Sequence, residues 1–85
     1  MLLNLRKIEY ALAVAENRSF SRAAEALKIS QPTITRSIQS LEQEIGARIF
    51  DRSLAVVSVT PKGQLLLDNG AALAASALEL KLDLQ

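Results

Sequence analysis

Only Lys28 and Ile29 separate two stretches of this chain that read as helices, and so short a gap limits the folds open to it. The second stretch, SQPTITRSIQSLEQEIG (residues 30–46), opens on Ser30, a capping residue, and places Pro32 in the first turn, where a missing N–H costs nothing. Ile34, Ile38, Leu41 and Ile45 fall within about 60° of one another on a helical wheel, a narrow stripe that buries one side. Gly46 marks the end. In the preceding stretch, Ser21 caps a short helix, RAAEALK, whose Ala23, Ala24 and Leu27 let a neighbouring helix approach closely. Phe20, just before that cap, stands where a hydrophobic staple fixes the entry angle, and is assigned to the core. Helix, tight turn, helix is the result.

The flanking segments complete the layout. Asn4 caps a first helix that runs to about residue 16, with Leu5, Ile8, Leu12 and Ala15 as its buried face. Asn17 and Arg18 break the pattern. After Gly46, residues 49–52 and 56–59 read as two strands around the turn Ser53-Leu54-Ala55, with Phe50, Val57 and Val59 facing inward. Thr60-Pro61 opens a last helix in the favoured order, cap then proline, and that helix runs to the end of the chain. No internal repeat, low-complexity tract or flexible linker interrupts the series. The expected fold is mainly α: a winged helix-turn-helix over residues 1–60, then a long C-terminal helix over 61–85.

Composition excludes several functions. With 85 residues, 49% of them hydrophobic, the chain makes one small domain that gains from a partner. It has no cysteine and no histidine, which removes disulfides, thiol chemistry and the commonest metal ligand and general base. Serine, lysine and carboxylate candidates for hydrolysis are scattered over helix faces with no glycine-rich elbow beside them. No enzyme, cofactor or metal site is expected. The start MLLNLRK followed by ALAVA resembles a secretion signal, but Glu9 and Glu16 interrupt it. Asp68, Glu79, Lys81 and Asp83 make the leucine-rich end costly in a bilayer. A cytoplasmic chain with no membrane partner is expected.

A net charge of +1 does not announce a nucleic-acid binder, so any basic surface must be local. Residues 1–60 carry eight basic and six acidic side chains, residues 61–85 two and three. Opposite the apolar stripe of residues 30–46 lie Pro32, Thr35, Arg36, Gln39 and Gln43, and no acid occurs between Ser30 and Leu41. Major-groove readers need such side chains: glutamine pairs with adenine, arginine with guanine, and a threonine methyl touches thymine. The free amides at the helix start favour phosphate. Glu42 and Glu44 come at the far end, where the helix would leave a groove. Arg22, Lys28, Arg48 and Arg52 are expected around the same edge. The competing reading is an amphipathic core helix with a merely soluble outer face, within a winged-helix dimerisation or protein-interaction unit that binds no DNA.

The run NLRKIEYALAVAENRSFSRAAEALKISQPTITRSIQSLEQEIGARIFDR through TPKGQLLL resembles the N-terminal DNA-binding domain of LysR-type transcriptional regulators. The successive motifs SFSRAAEALKISQP, SIQSLEQEIG, IFDR and TPKG carry the resemblance at matching distances over essentially the whole chain. It implies a homodimer that binds double-stranded DNA, with the third helix in the major groove and the wing at an adjacent minor groove. Carried over position by position, it implies Gln31, Pro32, Thr35 and Arg36 as base readers. Ser21, Arg22, Thr33, Ser37 and Arg52 are the implied backbone contacts, with Ser21 also a cap and Ser30 and Thr60 caps alone. The wing departs from the pattern: Leu54, Ala55 and Val56 stand where glycine and basic residues are common, and Ser58 replaces a frequent arginine. Less wing affinity than usual follows, with Leu54 in loop packing or a protein contact. Arg18 stands where a glycine is frequent. Family members continue into an effector-binding domain, so the chain reads as a DNA-binding fragment whose small-molecule effector would act through a domain absent here.

In the last helix, Leu66, Gly70, Leu73, Ala77, Leu80 and Leu84 are spaced as a heptad seam, and Leu67, Ala71, Ala74, Leu78 and Leu82 form a second apolar row. A helix of about 24 residues extends about 36 Å, more than one small domain covers. Homodimerisation through this helix is expected; the alternative packs both rows on the chain's own first helix.

Overall fold

The computed structural model describes residues 3–53 and 56–85. Its elements are α1 (Leu5–Asn17), α2 (Phe20–Leu27), α3 (Gln31–Ile45), β1 (Phe50–Asp51), β2 (Ser58–Val59) and α4 (Pro61–Asp83). The strands pair antiparallel, Phe50 with Val59 and Asp51 with Ser58. This is the expected order of three helices, a hairpin wing and a long helix. The expected turn residues Leu54 and Ala55 lie outside the described residues, and the ladder is shorter than the eight residues of 49–52 and 56–59.

The caps are local and behave as such. Asn4 Oδ1 accepts from the Arg6 amide at 2.9 Å, Ser30 Oγ from the Thr33 amide at 3.3 Å, and Thr60 Oγ1 from the Gly63 amide at 2.9 Å. Each satisfies one of the free donors that any helix start exposes. The cap of α2 is Ser19, not Ser21: Ser19 Oγ accepts from the Arg22 amide at 3.1 Å, and Ser21 lies inside the helix. Starting there puts Phe20 in the first turn, on one face with Ala23 and Ala24, and all three are buried. Phe20 is core, as expected, but within the helix and not ahead of it.

α1 is the hub, packed against α2, α3 and α4, while α2 and α3 pack on each other. Its innermost residues are Ile8, Ala11 and Val14, with Leu5, Leu12 and Ala15 half-buried on the flanks. The expected face was therefore turned by a fraction of a turn, because α1 has neighbours on more than one side. Ile34, Ile38 and Leu41 of α3 are 0% exposed, and Ile45 is half-buried. Burying each such side chain contributes about 1.5–3 kcal/mol, enough to hold the orientation of α3. Ile49, Phe50 and Leu67 close the core from the wing and α4.

The α1–α2 and α2–α3 turns end their helices on left-handed residues, Arg18 at φ 55° and Lys28 at φ 58°, as Gly46 does at φ 69° for α3. That geometry explains why glycine suits position 18: an L side chain there crowds its own carbonyl.

α4 divides along its length. Gly63, Leu67 and Gly70 are buried against the domain and Leu66 packs on the core, while Leu73, Leu78, Leu80, Leu82 and Leu84 are exposed. Two members of the expected dimer seam, Leu66 and Gly70, are thus spent within the chain. Neither the single long seam nor full packing on α1 describes the helix: its first half belongs to the core, and its second half runs past the start of α1 with Ala74 and Ala77 half-buried and its leucines exposed.

Candidate nucleic-acid interface

Gln31 and Pro32 occupy the first turn of α3, and Thr35 and Arg36 follow one turn later, Thr35 on the flank of the buried stripe and Arg36 on the side away from it. Gln31, Pro32 and Arg36 are exposed and Thr35 is half-buried. Together the four line an open depression of about 410 Å³. Among the described residues, neither Gln31 nor Arg36 spends its side chain on a hydrogen bond. Both keep their full sets of donors for a ligand. The apolar stripe anchors the helix, Pro32 and Arg36 stand exposed on the side away from it, and Gln31 is exposed at the helix start.

The expected backbone contacts are spread over α2, α3 and the wing. Ser21 and Arg22 are exposed on the first turn of α2, with the Ser21 hydroxyl 3.1 Å from that of Ser19. Thr33 is half-buried, its hydroxyl 2.6 Å from Ser30 Oγ, and Ser37 is half-buried farther along α3. Arg52 is exposed at the base of the wing, its guanidinium 4.0 Å from the centre of the Phe20 ring. Phe20 in turn meets Phe50 edge to face, ring centres 5.8 Å apart. This stack ties wing to α2 and holds a cation beside the helix-turn-helix. Arg52 is the one basic residue between positions 50 and 59. Val56 and Ser58, which follow in the wing, are exposed.

Glu42 and Glu44, expected at the end where α3 would leave a groove, both turn back into the domain. Glu42 Oε2 accepts from the Ile49 amide at 2.7 Å and the Phe50 amide at 3.4 Å, with Arg48 Nε 3.9 Å away. Glu44 Oε1 lies 2.6 Å from Lys7 Nζ, which also donates to Ser40 Oγ at 2.8 Å. The effect on the surface is the same and the cause differs. α3 keeps acids off its outer face because its two carboxylates bind elements packed against its inner one. Position 42 follows Ile38 by four residues, so a place on the flank of the buried stripe was readable; its partners were not.

A model of the family described as "Bacterial regulatory helix-turn-helix protein, lysR family" matches residues 5–64. The chain belongs to that family. Among relatives of this LysR-family chain, the HTH-type transcriptional regulator TfdT of Cupriavidus pinatubonensis is 42% identical over 73 residues, 86% of the chain and 32% of TfdT. The chain therefore spans about a third of that relative's length. Its fold is similar to that of the BenM_DBD/catB site 1 DNA complex, with TM-score 0.88 and 35% identity over 92% of this chain and 87% of that one. The CbnR_DBD–DNA complex gives TM-score 0.88 and 32% identity over 93% and 91% of the two chains. Among the described residues no helix is long and apolar enough to cross a membrane.

Proposed function

We propose that the chain binds double-stranded DNA in a sequence-specific way, as a homodimer and as the DNA-binding part of a LysR-type bacterial transcription regulator acting in the cytoplasm, with no catalytic activity. The observation that carries this reading is the open depression lined by Gln31, Pro32, Thr35 and Arg36 at the start of a helix whose Ile34, Ile38 and Leu41 are 0% exposed. α3 enters the major groove from its N-terminus, where its free amides and dipole favour phosphate. Gln31 and Arg36 supply paired donors and acceptors to base edges, and the Pro32 ring and Thr35 methyl meet thymine methyls. Ser21, Arg22, Thr33 and Ser37 meet the backbone flanking the groove, and Arg52 meets it beside the wing.

The homodimer forms through the second half of α4, where Leu73, Ala77, Leu80 and Leu84 keep their place as the seam with Leu78 and Leu82 beside them. In a monomer these leucines would expose a contiguous apolar surface of the kind that marks association. Two reading edges on one assembly multiply the few phosphate contacts each subunit offers. The rival reading, an interaction unit without DNA, draws on a wing whose one basic side chain is Arg52.

Titration with random duplex DNA at two salt concentrations separates the readings. DNA binding gives an affinity that falls steeply with salt, because phosphate contacts release counterions. An interaction unit gives no salt-dependent binding.

A further inference from the structure

Glu42 sits near the end of α3 with its side chain away from the edge formed by Gln31 to Arg36. Its Oε2 holds two successive amides, those of Ile49 and Phe50, where the chain enters the wing. The carbonyl of the same Ile49 accepts from the Thr60 amide at 2.9 Å, and Gly63 lets α4 lie against it. Ile49 and Phe50 are both 0% exposed. Two residues on from this clasp comes Arg52, over the Phe20 ring.

The hairpin has little to position it by itself. Its ladder is the two pairs Phe50 with Val59 and Asp51 with Ser58, and an isolated two-stranded hairpin is marginal in water. Contacts at its base must therefore set its place. A carboxylate that accepts backbone N–H groups makes charge-assisted bonds, stronger than neutral ones, and removing it leaves buried donors unsatisfied.

We propose that Glu42 is a positioning residue for DNA binding. It touches no nucleic acid, and by clasping the Ile49 and Phe50 amides it registers the wing to α3 so that Arg52 meets the phosphate backbone while α3 lies in the groove. The proposal rests on the DNA-binding reading above. It predicts that the contribution of Arg52 to affinity depends on Glu42, which a residue serving stability alone would leave unchanged.

The test is a double-mutant cycle on the 85-residue chain, with random-sequence duplex DNA as the probe, titrated at several low salt concentrations. In the wild type, Arg52→Ala weakens binding several-fold and lowers the salt slope by about one. In Glu42→Ala, the same Arg52 substitution changes affinity by no more than about twofold, because Arg52 has already lost its place. Glu42→Gln, which keeps a carbonyl acceptor, retains an intermediate Arg52 effect. An equal Arg52 effect in the presence and absence of Glu42 overturns the proposal, as does no Arg52 effect in the wild type. If Glu42→Ala fails to fold by circular dichroism, the Glu42→Gln cycle decides: a full wild-type Arg52 effect there overturns it. Absence of wild-type binding at low salt overturns the DNA-binding reading itself, and the proposal with it.

Discussion

A Cβ placed on Gly70 would come within 2.6 Å of the Cγ2 of Ile8, so α4 crosses α1 at a point that admits no side chain unless Ile8 moves. On Gly63 the same atom would land on the carbonyl of Ile49, with its Cα at 2.9 Å. Both glycines are helical, so alanine gains about 0.5–1 kcal/mol of helix preference at either. Overpacking against a side chain costs about 1–3 kcal/mol, whereas backbone cannot yield as a side chain does. Gly63→Ala is therefore expected to destabilise clearly more than Gly70→Ala. Urea melts of the two variants at one protein concentration check the order, and Ile8→Ala should reduce the cost of Gly70→Ala alone.

Arg18 and Lys28 hold left-handed backbone at φ 55° and 58°. The left-handed region costs an L residue about 1–2 kcal/mol, partly offset by the extra freedom glycine gives the unfolded chain. Arg18→Gly should raise stability by about 0.5–1 kcal/mol, read as a higher urea midpoint with an unchanged slope. Arg18→Ala should not, since alanine meets the same crowding.

The division of α4 separates two kinds of leucine. Leu80 and Leu84 are 60% and 78% exposed, whereas Leu67 is 5% exposed. Glutamate at 80 and 84 should convert a dimer to a monomer in sedimentation equilibrium while the helical signal persists. Leu67→Ala should cost about 2–5 kcal/mol of stability and leave the association interface intact. A monomeric wild type at micromolar concentration would contradict the dimer.

Much of this architecture was legible because its signals are local. Asn4, Ser30 and Thr60 cap helices through atoms two or three residues away, and Gly46 ends α3 by its own φ. Ile34, Ile38 and Leu41 announce their side by periodicity alone. What was missed lies between segments. Ser19 and Ser21 both fit a cap, and burial of Phe20 with Ala23 and Ala24 chooses the first. Glu44 meets Lys7 from 37 residues away, and Glu42 reaches Ile49 across the end of α3. The seam of α4 could be counted in sevens, but the meeting of Gly70 with Ile8 is a property of the folded chain. At the interface, the exposure of Pro32 and Arg36 followed from the stripe behind them; that of Gln31, which comes from its place at the helix start, and the seat of Arg52 on Phe20 did not.

Asp51 should give the wing a pH dependence whose sign follows from its partners. The hydroxyl and amide of Ser53, the amide 2.8 Å from Oδ1, hold its carboxyl below the ordinary value of 3.8, with a smaller push from Arg48. A depressed folded value means stability that is present above the unfolded value and lost as pH falls through the folded one. Asp51→Asn should therefore trail the wild type in urea melts at about pH 7, and the gap should close as pH falls below 3.8.

Arg36 stands free on α3 beside Gln31 and Thr35, and its contact tests the reading edge most directly. Sequences bound from a random duplex pool should be selected with the wild type and with Arg36→Ala, and affinities measured on the winners and their single-base variants. Arg36→Ala should lose about 1–3 kcal/mol on the selected site and relax preference at one position. An equal loss on every sequence would make Arg36 a phosphate contact, and an unchanged affinity and site would contradict a reading edge on α3.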